Sequence, residues 1–554
     1  MRSTSSLLAT LLVVAPLTLA AQQRSVTTIT PAEIDGQLRF LASDLLEGRA
    51  PGTRGGRIAA EYIASELRAI GVEPAGDSGS YFQRVPIDIV GADPATIRLG
   101  VGMTMPSSAN TGGPAVAPRS LPKLRYPEDV VLWAGSATEN SSANGEIVFV
   151  GYGAKAPEYK WDDFKGTDLK GKILLVLVND PPAPANEPTL FGGKAMTYYG
   201  RWTYKFEEAE RQGAAGMLIV HTTEQAGYPW HTVVGSWAKE QRMLPRDASL
   251  PAPLGFRGWI TDSAATALLA QAGLDLAKLR AQADSRDFKP VATGLMLTAS
   301  FHNTVQHLSS ENVVGRVSGR DPKARNEYVV LSAHWDHLGI GPAVNGDSIY
   351  NGASDNASGV ADLLAVAHAA TQGAKPRRSL LFAFVTAEES GLLGSDWFAT
   401  HPPVPAKQIV ADINLDGGNI LGRTRDVTVL GENKSTLGST IAAMIRPQGM
   451  KISPEDHPER GHFYRSDHFS FAKAGIPAVS IGSGNDYVDH PAGWGALQEE
   501  DYTEHRYHQP SDEYKPGLDL SGAAQLSQLV YRLAIKLGND TAWPAWAKDA
   551  EFKR

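Results

Sequence analysis

Histidine and acidic residues recur along the second half of this chain in the order His334-Trp335-Asp336, Asp355, Glu388-Glu389, Asp416 and, far downstream, His508. Zinc accepts both imidazole nitrogen and carboxylate oxygen, and a catalytic zinc keeps one coordination position open for water. The chain contains no cysteine. Any zinc it holds must be bound by histidine and carboxylate, which leaves the metal more electrophilic than thiolate would and suits hydrolysis. Together these residues supply ligands for two zinc ions plus a base.

Such groups need rigid elements to hold them, and open α/β sheets keep their sites outside the carboxyl ends of strands. Residues 327–333 read as a buried strand that delivers His334 and Asp336. Residues 379–386 read as a second, delivering Glu388 and Glu389, and residues 408–415 as a third, delivering Asp416. A short apolar run at 478–481 reads as a fourth. Asp355 differs, because it stands just before a helical stretch at 360–370, where an aspartate is also a favoured cap. Glu388-Glu389 could be solvated charges opening a helix over 391–399, favoured there by its dipole, and His334 alone could be a satisfied core histidine. The placing of so many such groups after successive strand ends argues instead for one shared site.

These stretches resemble the co-catalytic zinc peptidase family of the bacterial leucyl aminopeptidases, aminopeptidase Y and glutamate carboxypeptidase. The resemblance lies in residues 332–339, 351–359, 386–395, 414–416 and 507–512, supported by 309–315, 465–469 and 475–478. It implies an α/β fold with a mixed, mostly parallel central sheet flanked by helices. It further implies that Asp355 bridges two zinc ions, with His334 and Asp416 completing one site and Glu389 and His508 the other. Two metals ~3.5–4 Å apart need an anionic bridge, and a water between them is strongly acidified. Glu388 would act as general base, passing a proton from that water to the leaving amine. Asp336 resembles the family's carboxylate partner of the metal-binding histidine, which would fix the His334 tautomer. Tyr507 is the expected donor to the developing oxyanion, with Tyr464 as rival and plain packing as the alternative for Tyr507. His337, His468 and His505 carry no family role, so they are read as surface residues or as supports behind the ligands.

The chain has 554 residues, enough for two or three domains, and a net charge of −8 without a long Lys/Arg run, which argues against nucleic-acid binding. Arg2 followed by an apolar run from Leu7 to Ala21 reads as a cleavable signal peptide over residues 1–21. That run is shorter than the ~20 residues that span a bilayer, and no cysteine offers a lipid anchor. The expected product is therefore periplasmic or secreted, without a membrane anchor. The peptidase domain is expected to begin at residues 22–130, with an amphipathic helix over 55–70, and to resume at 293–545 with the metal-binding part. Residues 131–292 break into short β-like runs divided by Gly, Pro and Asn, and they resemble an inserted, β-rich protease-associated domain. Leu526, Leu529, Leu533 and Leu537 form one stripe of a closing helix, followed by an aromatic tail over 546–554 that could dock or stay loose.

A serine hydrolase is disfavoured, because neither a Gly-x-Ser-x-Gly elbow nor a His-Glu-x-x-His pattern occurs. The expected activity is removal of N-terminal residues from peptides. The alternatives are a carboxypeptidase of the glutamate carboxypeptidase type, a single-zinc glutaminyl cyclase, and an inactive binding protein. Arg465 and Arg506 lie close in sequence to the site segments and could serve a carboxylate-bearing substrate.

Overall fold

A computed structural model describes residues 28–103 and 123–554. The proposed leader, residues 1–21, lies outside the described residues. Among the described residues, no helix is long and apolar enough to cross a membrane.

The metal-binding half is built on strands whose continuous apolar runs bury both faces, as parallel strands covered by helices require. Tyr328–His334 lies at the centre, pairing in parallel with Ser379–Val385 on one side and Ile409–Asn414 on the other. Ala478–Ser483 continues the parallel set, Asp426–Leu430 joins it antiparallel, and Lys451–Ile452 ends that flank. The helices Gly359–Gln372 and Ser521–Asn539 pack on one face, where Leu526, Leu529, Leu533 and Leu537 join the main apolar core as their spacing requires. The amphipathic helix Arg54–Ala69 buries Ile63 and Leu67 in the same core.

The longest strand, Val291–Val317, ties the two halves of the molecule together. Its C-terminal part pairs antiparallel with Ser379–Val385 and with Phe82–Ala92. Its N-terminal part pairs with Asn140–Phe149 and Arg98–Met103 in a second layer with its own apolar core. In that layer Asn140–Phe149, Ile173–Leu177, Gly216–His221 and Phe256–Thr261 run parallel, with Val130–Trp133 antiparallel at the edge. Between and beside these strands lie the helices Trp202–Arg211, Asp262–Gln271 and Leu276–Ala283. The region is therefore more helical than its short apolar runs suggest, because parallel neighbours need crossover segments to return the chain.

The C-terminal tail docks. Phe552 is buried, Trp546 Nε1 donates to the Gly475 carbonyl at 2.9 Å, and the Arg554 guanidinium donates to the carbonyls of Ile409 and Val410. Glu551 pairs with Lys434 at 2.9 Å.

Candidate metal centre

Strand ends deliver the expected residues to one place. His334 is the last residue of its strand, Asp416 follows Ile409–Asn414 by two residues, and Glu388-Glu389 follow Ser379–Val385 by three. His508 comes from the turn after the helix Trp494–His505 and holds a left-handed φ of 58°, a conformation that costs a non-glycine residue and recurs at functional sites.

Asp355 stands between the two histidines. Its Oδ1 lies 3.2 Å from His334 Nε2, and its Oδ2 lies 3.3 Å from His508 Nε2. Asp416 Oδ1 is 3.2 Å from His334 Nε2, and Glu389 Oε2 is 3.1 Å from His508 Nε2. One carboxylate thus presents an oxygen to each of two imidazole–carboxylate pairs. Asp355 does not take the helix N–H: the first N–H of the helix Gly359–Gln372, that of Gly359, is accepted by Asn356 Oδ1 at 3.1 Å. Asn356 also accepts the Gly417 N–H and donates to the Leu415 carbonyl, stapling the Asp355 loop to the Asp416 loop. Nor are the two glutamates helix-opening surface charges, since the helix begins at Leu393 and the Glu389 side chain is only 6% exposed.

The donor chemistry fits a pair of divalent cations. Two ligands each ~2.1 Å from a tetrahedral zinc stand about 3.4 Å apart. The separations of 3.1–3.3 Å around His334 and His508 suit that geometry. His508 Nε2 is also buried without a hydrogen-bond partner, although two carboxylates surround it. Ligand atoms of His334, Asp355 and Asp416 gather within 4.8 Å of one another, and so do those of His337, Asp355 and Glu389. His337 is a residue to which the sequence assigned no role, and it is fully buried with Nδ1 2.6 Å from Glu389 Oε1. That is a hydrogen-bond length, too short for two ligands of one zinc, whereas His508 Nε2 stands 3.1 Å from Glu389 Oε2.

Asp336 departs from expectation. Its carboxylate is 3.9 Å from His334 Nδ1, which faces the Asp336 backbone carbonyl at 3.2 Å instead. The backbone carbonyl, rather than the carboxylate, therefore meets the ring nitrogen, while Asp336 Oδ1 accepts the Glu388 N–H at 3.1 Å. Tyr464 is excluded as oxyanion donor: its hydroxyl donates to Glu551 at 2.6 Å and lies 3.0 Å from Lys434 Nζ, in the docked tail. Tyr507 stays at the mouth, 38% exposed, with its ring stacked on His508 at 3.9 Å. His468 is buried, His505 pairs with Asp501 on the surface, and Arg506 also donates to Asp501.

Two further supports were assigned no role from the sequence. Arg49 is buried, and its guanidinium donates to the carbonyls of Trp335, Leu41, Asn351 and Gly352, fixing the exit of the His334 strand against the loop before Asp355. Asp512 accepts the backbone N–H groups of Ser354 and Asp355. Asp512 closes the 507–512 stretch, but the contacts of both residues span the fold.

Electrostatics follow this crowding. Burial opposes charge on His508, yet the carboxylates of Asp355 and Glu389 facing its Nε2 prevail and raise it to about 10. Burial likewise pushes Glu389 up, and with Asp355 opposes its ionisation, but His337 and His508 bring it down to about 2. Glu388 goes the other way: burial raises its carboxyl well above the ordinary value, against the pull of His334, and Glu389, Asp416 and Asp467 add to the rise. Asp336 rises to about 6, chiefly by burial.

Residues 312–534 match the pattern of Peptidase family M28. The chain is 28% identical over 202 residues to leupeptin-inactivating enzyme 1 of Streptomyces exfoliatus, covering 35% of this chain and 42% of that protein. It is 35% identical over 96 residues to a probable leucine aminopeptidase 2 of Aspergillus oryzae, covering 17% of each. The chain thus spans less than half the length of these relatives. An aminopeptidase structure from Aneurinibacillus sp. strain AM-1 aligns with a TM-score of 0.45 at 20% identity, covering 92% of this chain and 94% of that one. The stretch that matches Peptidase family M28, residues 312–534, is the one that carries His334, Asp355, Glu388, Glu389, Asp416 and His508.

Proposed function

We propose that this chain is an exported, zinc-dependent aminopeptidase that removes N-terminal residues from peptides. The observation that carries the reading is Asp355, which offers one oxygen to the His334–Asp416 pair and the other to the His508–Glu389 pair. In this reading His334, Asp355 and Asp416 hold one zinc, and Asp355, Glu389 and His508 hold the second. Bound there, the cations would supply Lewis acidity to the scissile carbonyl.

Glu388 is the general base. Its peptide N–H is fixed by Asp336, so its carboxylate adjoins the ligand Glu389 without being engaged by it. It takes a proton from the attacking water and returns it to the leaving amine. Tyr507, held at the mouth by stacking on His508, donates to the developing oxyanion. The acidic surroundings of Glu388, with Asp416 and Asp467 close enough to raise its carboxyl, suit the ammonium of a free N-terminus. The Aspergillus relative's designation as a leucine aminopeptidase points the same way. Residues 131–292, which resemble a protease-associated domain, would be an insertion within the peptidase domain.

The test is metal content of the purified protein together with hydrolysis of aminoacyl-anilides and N-blocked peptides, with and without chelator. Two zinc ions per chain and chelator-sensitive cleavage of free-amine substrates alone are expected. One zinc with cyclisation of N-terminal glutamine would replace the reading by a glutaminyl cyclase, and no turnover after zinc supplementation would replace it by a binding protein.

A further inference from the structure

Between His337 and Asn351 the chain leaves the metal centre and returns as an antiparallel hairpin, with Gly339–Val344 paired to Asp347–Tyr350. Its turn is Asn345-Gly346, both at positive φ, as a two-residue hairpin loop requires. The Tyr350 hydroxyl donates to the Pro342 carbonyl at 3.0 Å, and Asp347 Oδ1 accepts the Ile349 N–H at 3.0 Å. At the root, the Asn351 amide donates to Asp44 Oδ1 at 2.9 Å, and Arg49 donates to the carbonyls of Asn351 and Gly352. The hairpin is therefore tied down at its base.

Its two faces differ, because side chains alternate along a strand. Gly339 points inward, where a Cβ added to it would come within 2.7 Å of the Ala50 Cβ, and Tyr350 opposite it is buried. Ile340 points the other way and stands directly across from Ile349, so their side chains share the outward face. Ile340 is 63% exposed, Leu338 just before the strand is 37% exposed, and Ile349 is half-buried. Neighbouring apolar side chains in contact with water are the pattern of an interaction surface.

The root of the hairpin lies at one pole of the metal cluster. His337, with Nδ1 2.6 Å from Glu389, has its ring centroid 5.7 Å from that of His508. The returning chain closes on the same ring, since a Cβ on Gly352 would come within 2.5 Å of His337 Cγ. Tyr507, stacked on His508, adds an aromatic surface at this pole. Asp416 belongs to the opposite pole, with His334. The aminopeptidase reading seats the substrate's ammonium in the acidic surroundings on the Asp416 side, so the chain beyond the scissile bond leaves past His508 and His337, towards the hairpin. We propose that the outward face formed by Leu338, Ile340 and Ile349 is a subsite for an apolar side chain within the first two residues downstream of the scissile bond. The inference rests on the aminopeptidase reading and deepens it by naming the peptides preferred.

The experiment compares kcat/KM for peptide amides that share an N-terminal leucine and carry leucine or asparagine at the first or the second downstream position. The zinc-loaded wild type, Ile340→Thr, Ile349→Thr and Ile340→Val are measured alike, with leucine amide as the substrate that has no downstream residue. The wild type should favour leucine at one of the two positions by about tenfold or more, mainly through KM. The ratio should fall towards one in both threonine variants and persist in Ile340→Val, while all four proteins hydrolyse leucine amide equally. Ile340 is exposed and threonine is also β-branched, so Ile340→Thr keeps the test valid if Ile349→Thr misfolds. A wild-type ratio near one at both positions, with leucine amide cleaved normally, overturns this inference alone, as does a preference that survives in Ile340→Thr. A change confined to the preference for the N-terminal residue also overturns it, by placing the face upstream of the scissile bond. So does a dimer in sedimentation that Ile340→Thr splits without altering the ratios, since a second copy would then cover the face. Absence of chelator-sensitive cleavage of leucine amide and of every peptide overturns the peptidase reading instead.

Discussion

Replacing Asp512 with asparagine would loosen Asp355 without touching a ligand. Asp512 Oδ1 accepts the Ser354 N–H at 3.0 Å, and Oδ2 accepts the N–H groups of Ser354 and Asp355 at 3.1 Å each and the Tyr502 hydroxyl at 3.3 Å. Asparagine can keep an oxygen at the Oδ2 position, but its amide then faces the Ser354 N–H, and the remaining bonds lose their charge. A bond to a charged acceptor is worth ~1.5–3 kcal/mol and a neutral one ~1 kcal/mol, so three weakened bonds amount to about 2 kcal/mol once non-additivity is allowed for. If this acts on the bound state, zinc affinity or turnover falls about 30-fold, within the ~10–100-fold typical of groups that support metal ligands. The assay is competition for zinc against a chromophoric chelator, run beside kcat and the melting temperature of the metal-free protein. Both zinc ions should weaken together, because Asp355 faces both poles. Unchanged affinity and turnover with a lowered melting temperature would refute the reasoning and leave Asp512 a purely structural group.

Glu388→Gln should retain both metals by elemental analysis while turnover falls about 10²–10⁴-fold, since it removes a base and no ligand; loss of metal would show Glu388 to be a ligand. Arg49→Met leaves four backbone carbonyls without their donor, so thermal or denaturant unfolding should show a loss of at least about 3 kcal/mol; a change under 1 kcal/mol would mean that water replaces the guanidinium. Burial pushes Glu551 up, but Lys434 and Tyr464 prevail and hold it below its ordinary 4.5. A depressed carboxyl stabilises the fold above the unfolded value and loses that contribution as pH falls through the folded one. Glu551→Gln should therefore lower the melting temperature at pH 7, with the gap from wild type closing below about pH 4.5; a gap that persists at low pH would show the tail to be held by packing alone.

Local pattern made much of this legible. The strands ending at His334, Val385 and Asn414 are largely apolar runs, and each delivers its acidic or imidazole group where such strands keep their sites. Ligand types and order are properties of the chain itself. The cap reading of Asp355 could not be settled in the same way, because Asn356, one residue on, has the same local propensity. Only the fold shows that Asn356 takes the helix N–H and frees Asp355 to face both histidines.

What sequence could not decide was direction and distance between side chains far apart in the chain. His337 and His508 are equally plausible nitrogen donors as residue types, and they are separated by a contact of 2.6 Å against contacts of 3.1 and 3.3 Å. Asp336 and Tyr464 carry suitable groups, yet backbone turns and the docked tail commit them elsewhere. Arg49 and Asp512 act through contacts between remote segments. The sequence by itself determined the chemistry on offer, because ligand identity and strand periodicity are local. Tertiary structure decided which groups converge, because convergence depends on how the strands pair.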